Sequence, residues 1–109
     1  MCDEWQATGI TVRFVNELKA YCARDGRIKK VILFGSRARG DYQRSSDIDL
    51  ALETAALTHT EANLIEDAIH EMSTPLKIDV VFLERLTKQK LIDNIHKDGV
   101  VMYEQGKDL

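Results

Sequence analysis

Residues 34–50 read Phe-Gly-Ser-Arg-Ala-Arg-Gly-Asp-Tyr-Gln-Arg-Ser-Ser-Asp-Ile-Asp-Leu. An apolar run (Val31, Ile32, Leu33, Phe34) leads into Gly35 and Ser36, and a second strand opens on Asp47, Ile48 and Asp49. Between them lies a polar loop carrying Gly40 and the arginines Arg37, Arg39 and Arg44. Small residues let backbone N–H groups reach phosphate oxygens, arginine matches their charge, and carboxylates carry divalent metal. Strand side chains alternate between faces, so Asp47 and Asp49 project together, roughly 7 Å apart at their Cα atoms. Carboxylates at that separation can converge on a metal pair about 4 Å apart, the arrangement used for in-line phosphoryl displacement. Ile48 points the other way and can bury.

Two familiar phosphate and metal motifs fail on these residues. An EF-hand loop starting at Asp47 would have Ala51, Leu52 and Thr58 at its fifth, sixth and twelfth positions, none of which suits calcium. Residues 35–40 have the glycine spacing of a Walker A loop, but Asp41 and Tyr42 stand where Lys and Ser/Thr are required.

What remains is the composite Gly-Ser-x-Ala-Arg-Gly, five residues, then Ser-Asp-x-Asp-Leu. It resembles the signature of the polymerase-beta-like nucleotidyltransferase superfamily, most closely its minimal nucleotidyltransferase (MNT) branch. Gly35, Ser36, Ala38, Arg39, Gly40, Ser46, Asp47, Asp49 and Leu50 match without a gap. The resemblance implies that Gly35, Ser36 and the neighbouring backbone hold a triphosphate, with Arg39 assisting. It also implies that Asp47 and Asp49 bind two Mg²⁺ ions. Arg37 occupies a variable motif position and is the weaker arginine candidate.

The third acid comes from a later segment. Asp79 lies within Ile78-Asp79-Val80-Val81-Phe82, where a carboxylate is costly without a partner. A structural ion pair to Lys77 or an arginine would account for it. The resemblance favours a third metal-site and catalytic carboxylate, at the position where these enzymes take one from a later strand.

The remaining chain supplies a frame for this stretch. Val12, Val15, Leu18 and Cys22 recur at helical spacing with Phe14 and Tyr21 beside them, predicting a helix over 11–24 capped by Thr11 and stopped at Asp25-Gly26. The first strand covers 29–34 and, from its unbroken apolar run, is buried on both faces. Ser36 is expected to cap a short helix over 37–40, and 41–46 form a polar connection in which Ser46 closes the turn. A second strand follows at 47–53. Thr58 and Glu61 read as a capping box opening a helix with Ile65, Ala68, Ile69 and Met72 inward, ended before Pro75. A third strand is expected over 76–83. A last helix, capped by Thr87, should turn Leu91, Ile92 and Ile95 inward and stop at Asp98-Gly99. A short strand over 100–104 ends the pattern, and 105–109 should be loose. This order predicts an α/β fold of α+β type, a two-layer domain with helices packed on a mixed sheet of about four strands.

The chain has 109 residues, enough for one domain with one modest core spanning 1–109. A formal charge of −3 argues against general nucleic-acid or acidic-membrane binding, while leaving room for a local basic site. Cys2 and Cys22 form no metal-ligand spacing or disulfide framework; Cys22 reads as a reduced core thiol. His59, His70 and His96 are scattered and read as surface residues, and Trp5 could dock on the domain or a partner. With no membrane-spanning run and no signal peptide in view, the expected location is the cytoplasm.

The resemblance implies transfer of AMP from ATP to a hydroxyl acceptor. Stand-alone MNT proteins look like the antitoxin half of HEPN–MNT pairs, so the implied acceptor is a tyrosine of a partner HEPN toxin. Two other readings stay open: a nucleotide-binding module that acts by contact alone, and a small-molecule adenylyltransferase of antibiotic-modifying type.

Overall fold

The computed structural model describes residues 9–106; Cys2, Trp5 and residues 107–109 lie outside the described residues. The chain runs α1 (Val12–Arg24), β1 (Ile28–Phe34), α2 (Ser36–Arg39), β2 (Ile48–Thr54), α3 (His59–His70), β3 (Ile78–Phe82), α4 (Gln89–Asp98) and β4 (Val100–Glu104). The strands form one mixed sheet in the order β3-β2-β1-β4. The β1 strand pairs antiparallel with β2 and with β4, whereas β3 runs parallel to β2 through the α3 crossover.

Alternation along the strands explains the layering. Val31 and Leu33 of β1, and Ile48, Leu50 and Leu52 of β2, point to one face. There they pack with Phe14, Val15, Leu18 and Cys22 of α1 and with Ala62, Ile65 and Ile69 of α3. The intervening residues Ile32 and Ala51 point to the other face and meet Ile95 of α4. Both faces of β1 are therefore covered, as its apolar run requires. Helices α1 and α3 make the main layer, and α4 shields part of the reverse face.

Local chemistry sets the ends of the helices. The Thr11 side chain accepts from the Phe14 amide at the start of α1. At α3 the capping box is complete: Glu61 N–H donates to Thr58 Oγ1 at 3.1 Å, and Thr58 N–H donates to Glu61 Oε1 at 2.9 Å. Arg27, just past α1, bonds Asp25 in bidentate fashion at 2.8 and 2.7 Å and reaches Glu61 at 2.9 Å, tying the end of α1 to the start of α3. Cys22 is fully buried, and burial pushes its thiol up to about 12, which makes it an inert core residue.

Several expected details are corrected. Val12, in the first turn of α1, is 57% exposed, and the buried side of the helix is Phe14, Val15, Leu18 and Cys22. Ser36 is the first residue of α2 rather than its cap; Gly35 holds the cap position with φ 77°. The third strand spans only Ile78–Phe82, and the chain then turns through a 3-10 segment over Leu83–Arg85. Lys88, not Thr87, precedes α4, with no side-chain cap. Within α4 Ile95 is fully buried and Leu91 partly, while Ile92 is not part of the packed cluster.

Because the box at α3 satisfies two otherwise orphaned N–H groups, Thr58→Ala should cost about 1 kcal/mol of stability. Denaturant unfolding followed by circular dichroism reads this directly, and an unchanged midpoint would show the box to be idle.

Candidate active site

The candidate residues gather where β1 ends and β2 and β3 begin. Gly35 turns the chain from β1 into α2 with φ 77°, a left-handed conformation that favours glycine. The turn also brings the backbone hard against β2: a Cβ placed on Gly35 would collide with the Asp49 carboxylate. Glycine is thus required twice, for its torsion and for the close approach. The Arg39 amide donates to Gly35 O at 3.1 Å and the Gly40 amide to Ser36 O at 2.9 Å, closing a single helical turn.

Main-chain pairing decides the position of the acids. Asp49 lies opposite Asp79 in the parallel β2–β3 ladder, and opposite Phe34 in the antiparallel β1–β2 ladder. Asp49 shares its face with Ala51, and Asp79 shares its face with Val81, so both project to the α4 side of the sheet. Asp47, two residues before Asp49, is half-buried just ahead of β2. The Asp49 carboxyl is pushed up to about 6, first by burial, then by the charges of Asp79 and Asp47, with Asp79 also in hydrogen-bonding reach; Arg39 opposes the rise. The sequence places Asp79 within an apolar run, suggesting a buried charge. In fact β3 is an edge strand, and the Asp79 side chain is 45% exposed with a 3.8 Å contact to Lys77. Its environment, not deep burial, marks it: it faces another carboxylate.

The arginines separate by role. Arg39 is exposed, pairs with Asp41 at 3.3 Å and carries positive charge toward Asp49. Arg37 is only 2% exposed. It donates to the carbonyls of Ser46 at 3.0 Å and Arg44 at 3.1 Å, and lies 4.7 Å from the Tyr42 ring centre. It therefore pins loop 41–46, which carries the chain from α2 to the aspartates. Ser46 closes the same loop, its hydroxyl accepting from the Gln43 amide at 2.8 Å. The anchoring role of Arg37 has no signal in the sequence, where it is one of three arginines in a polar stretch. The sequence reading also missed a small cleft beside Gly35, lined by Phe34, Arg39 and the α4 residues Leu91, Asn94 and Asp98. Two polar residues on the inward stripe of α4 are the signal that could have found it.

Could these residues hold divalent metal? Asp47, Asp49 and Asp79 offer hard oxygen donors only, which suits Mg²⁺. Asp49 is raised by burial first and by the charges of Asp79 and Asp47 after it, and a cation beside it would favour its ionised form. Among the described residues, no three acidic, histidine or cysteine groups are drawn around one point. His59, His70 and His96 are all exposed.

Comparison with known proteins agrees with this architecture. The family model "Polymerase beta, Nucleotidyltransferase" matches residues 16–108. The chain belongs to that family. In Methanocaldococcus jannaschii, "Putative protein adenylyltransferase MJ0604" is 62% identical over 39 residues, which are 36% of this chain and 37% of that protein. The chain thus aligns with little more than a third of that relative's length. A second protein of the same organism, "Putative protein adenylyltransferase MJ0141", is 29% identical over 77 residues, 68% of this chain and 78% of that one. Solved structures show the same fold. A toxin–antitoxin complex with AMP-PNP matches at TM-score 0.60 and 23% identity, over 84% of this chain and 74% of the other. A nucleotidyltransferase-like protein from Sulfolobus solfataricus matches at TM-score 0.58 and 20% identity, over 100% and 95% of the two chains. No helix among the described residues is long and apolar enough to cross a membrane.

The raised Asp49 sets a pH dependence. Its folded carboxyl titrates near 6 against a reference of 3.8, so the folded state holds the proton longer than the unfolded chain. The resulting stability is present below the lower value and is lost as pH rises through the upper one. In metal-free protein, Asp49→Asn should therefore gain on wild type between pH 4 and 7. The gain should reach about 1 kcal/mol after allowance for solvent screening of a half-exposed group. Denaturant melts in chelator across that range measure it, and a constant difference would mean that Asp49 is not crowded by its neighbours.

Proposed function

We propose that this chain transfers AMP from ATP to a hydroxyl acceptor, using Asp47, Asp49 and Asp79 as the acidic centre. The observation that carries the reading is the register that sets Asp49 beside Asp79, one strand over from the glycine–serine turn. Three carboxylates facing a polyanionic triphosphate need positive charge between them. Asp47 and Asp49 would hold Mg²⁺ against the triphosphate, and Asp79 would join them on the acceptor side. Bound there, Mg²⁺ neutralises phosphate charge and polarises the reacting oxygens.

The chain's own groups do the rest. Gly35, whose missing side chain lets the turn lie close against Asp49, and Ser36 receive the β- and γ-phosphates, and Arg39 offsets their charge. The acceptor oxygen attacks the α-phosphorus as the bond to the β-phosphate oxygen breaks and pyrophosphate leaves. The hydroxyl proton passes toward Asp79, whose exposure on the edge strand keeps it accessible to an incoming group. Arg37 acts at a distance, by holding loop 41–46 and hence the approach to Asp47.

The acceptor we propose is a tyrosine of a partner HEPN toxin, with this chain as the antitoxin. Support comes from the relatives: proteins named as putative protein adenylyltransferases, and a toxin–antitoxin complex that shares the fold. The acceptor-side carboxylate opens onto a groove at the outer edge of β3, of about 480 Å³ and lined in part by Glu66, His70 and Lys77. An acceptor on a protein surface can reach Asp79 from that side.

Incubation with α-labelled ATP, Mg²⁺ and the partner protein should label a partner tyrosine. The pair Asp47→Asn and Asp49→Asn should lower labelling by more than about 100-fold while the protein stays folded, since removing mutual repulsion does not weaken the apo domain. Inhibition of the partner without any covalent label would replace this reading with one of binding alone.

A further inference from the structure

The cleft beside Gly35 has a composition that packing does not explain. One wall is Phe34, Gly35 and Arg39; the other is Leu91, Asn94 and Asp98 of α4. On a helix, positions 91, 94, 95 and 98 fall on one stripe. In α4 that stripe faces the sheet, since Ile95 is fully buried against Ile32 and Ala51. A stripe turned toward a sheet is ordinarily apolar. Here Leu91 and Ile95 alternate with an exposed amide and a half-exposed carboxylate, and both polar residues line the cleft.

We propose that this cleft is the nucleoside subsite of the donor, with Asn94 reading the base and Asp98 accepting from the ribose hydroxyls. The assignment rests on the reading of the neighbouring aspartates as a nucleotidyl-transfer centre. Position supports it first: the cleft shares Gly35 and Arg39 with the proposed phosphate site, so a triphosphate held there leads its nucleoside into it. It lies at the β1 side of Asp49, whereas Asp79 lies at the β3 side, so donor and acceptor would approach the acids from opposite directions. Size agrees too. At about 220 Å³ the cleft is below the ~300–1,000 Å³ of sites for drug-sized ligands, which suits part of a nucleotide and not a folded peptide segment. Its chemistry is complementary as well. The Phe34 ring and Leu91 give apolar walls for a base, and the Asn94 amide offers one donating and one accepting group for a base edge. A carboxylate is the group that accepts from vicinal ribose hydroxyls in other nucleotide sites.

Titration calorimetry on the full chain with Mg²⁺ tests the assignment, using α,β-methylene ATP, its 2′-deoxy counterpart and inorganic tripolyphosphate as probes. Wild type should bind the ATP analogue about tenfold more tightly than tripolyphosphate. Asn94→Ala and Asp98→Asn should each weaken the ATP analogue about fivefold and leave tripolyphosphate within about twofold. Loss of the 2′-hydroxyl should weaken binding to wild type but not to Asp98→Asn. The sign is diagnostic at Asp98, because removing a negative charge there would tighten every polyphosphate if the residue acted only through its field. Unchanged affinity for the ATP analogue in both variants, or equal effects on tripolyphosphate, would overturn the subsite. Wild type binding tripolyphosphate as tightly as the analogue would overturn it while leaving the phosphate site standing. Wild type binding neither would remove the nucleotidyl-transfer reading together with it.

Discussion

The site depends on main-chain pairing that forces like charges together. Parallel pairing of β2 with β3 sets Asp49 beside Asp79, and the strand alternation that buries Ile48, Leu50 and Leu52 leaves both acids no choice of face. Slipping the register by one residue would separate the pair only by exposing Ile78 and Phe82, which the α1–α3 side of the sheet buries. The hydrophobic core therefore holds an electrostatically unfavourable contact in place. The Asp49 carboxyl is raised first by its burial and then by that crowding, which is the kind of environment in which functional acids are found.

Much of this was legible in the sequence because the relevant signals are local. The capping box Thr58–Glu61 and the Thr11 cap depend on three-residue spacings and stand in the structure as expected. The element order and the mixed sheet follow from apolar periodicity. Features fixed by tertiary geometry were less accessible. Periodicity does not say how far along a helix its apolar stripe stays covered, so Val12 reads as core and lies exposed. It does not say which strand is outermost, so Asp79 reads as a buried charge and is nearly half exposed. Nor does composition distinguish the buried anchor Arg37 from the exposed Arg39 two residues later, because what separates them is the direction of a single helical turn.

The glycine–serine turn shows how one residue links these levels. Gly35 ends β1, adopts a backbone angle that other residues resist, and leaves the space that the Asp49 carboxylate fills. Any larger residue would have to displace either the turn or the acid. The fold thus uses one vacancy to bring the glycine–serine turn and the Asp49 carboxylate close together without lengthening any loop.

Laid out across the sheet, the proposed roles form a line. The α4 cleft and the turn flank Asp49 at the β1 side, and Asp79 and the open β3 edge flank it at the other. On the reverse face Ile95 of α4 packs in one cluster with Ile32, Ala51 and Val81, and Asp79 remains nearly half exposed. The proposed acceptor side lies at the β3 edge of the sheet, beside the groove that Asp79 lines. In this reading, that is why acceptor choice can be supplied by a protein that docks there, while donor choice is built into the chain. The division predicts where divergence should be tolerated: substitutions along the β3 edge alter which partner is modified, and substitutions on the α4 stripe alter which nucleotide is used.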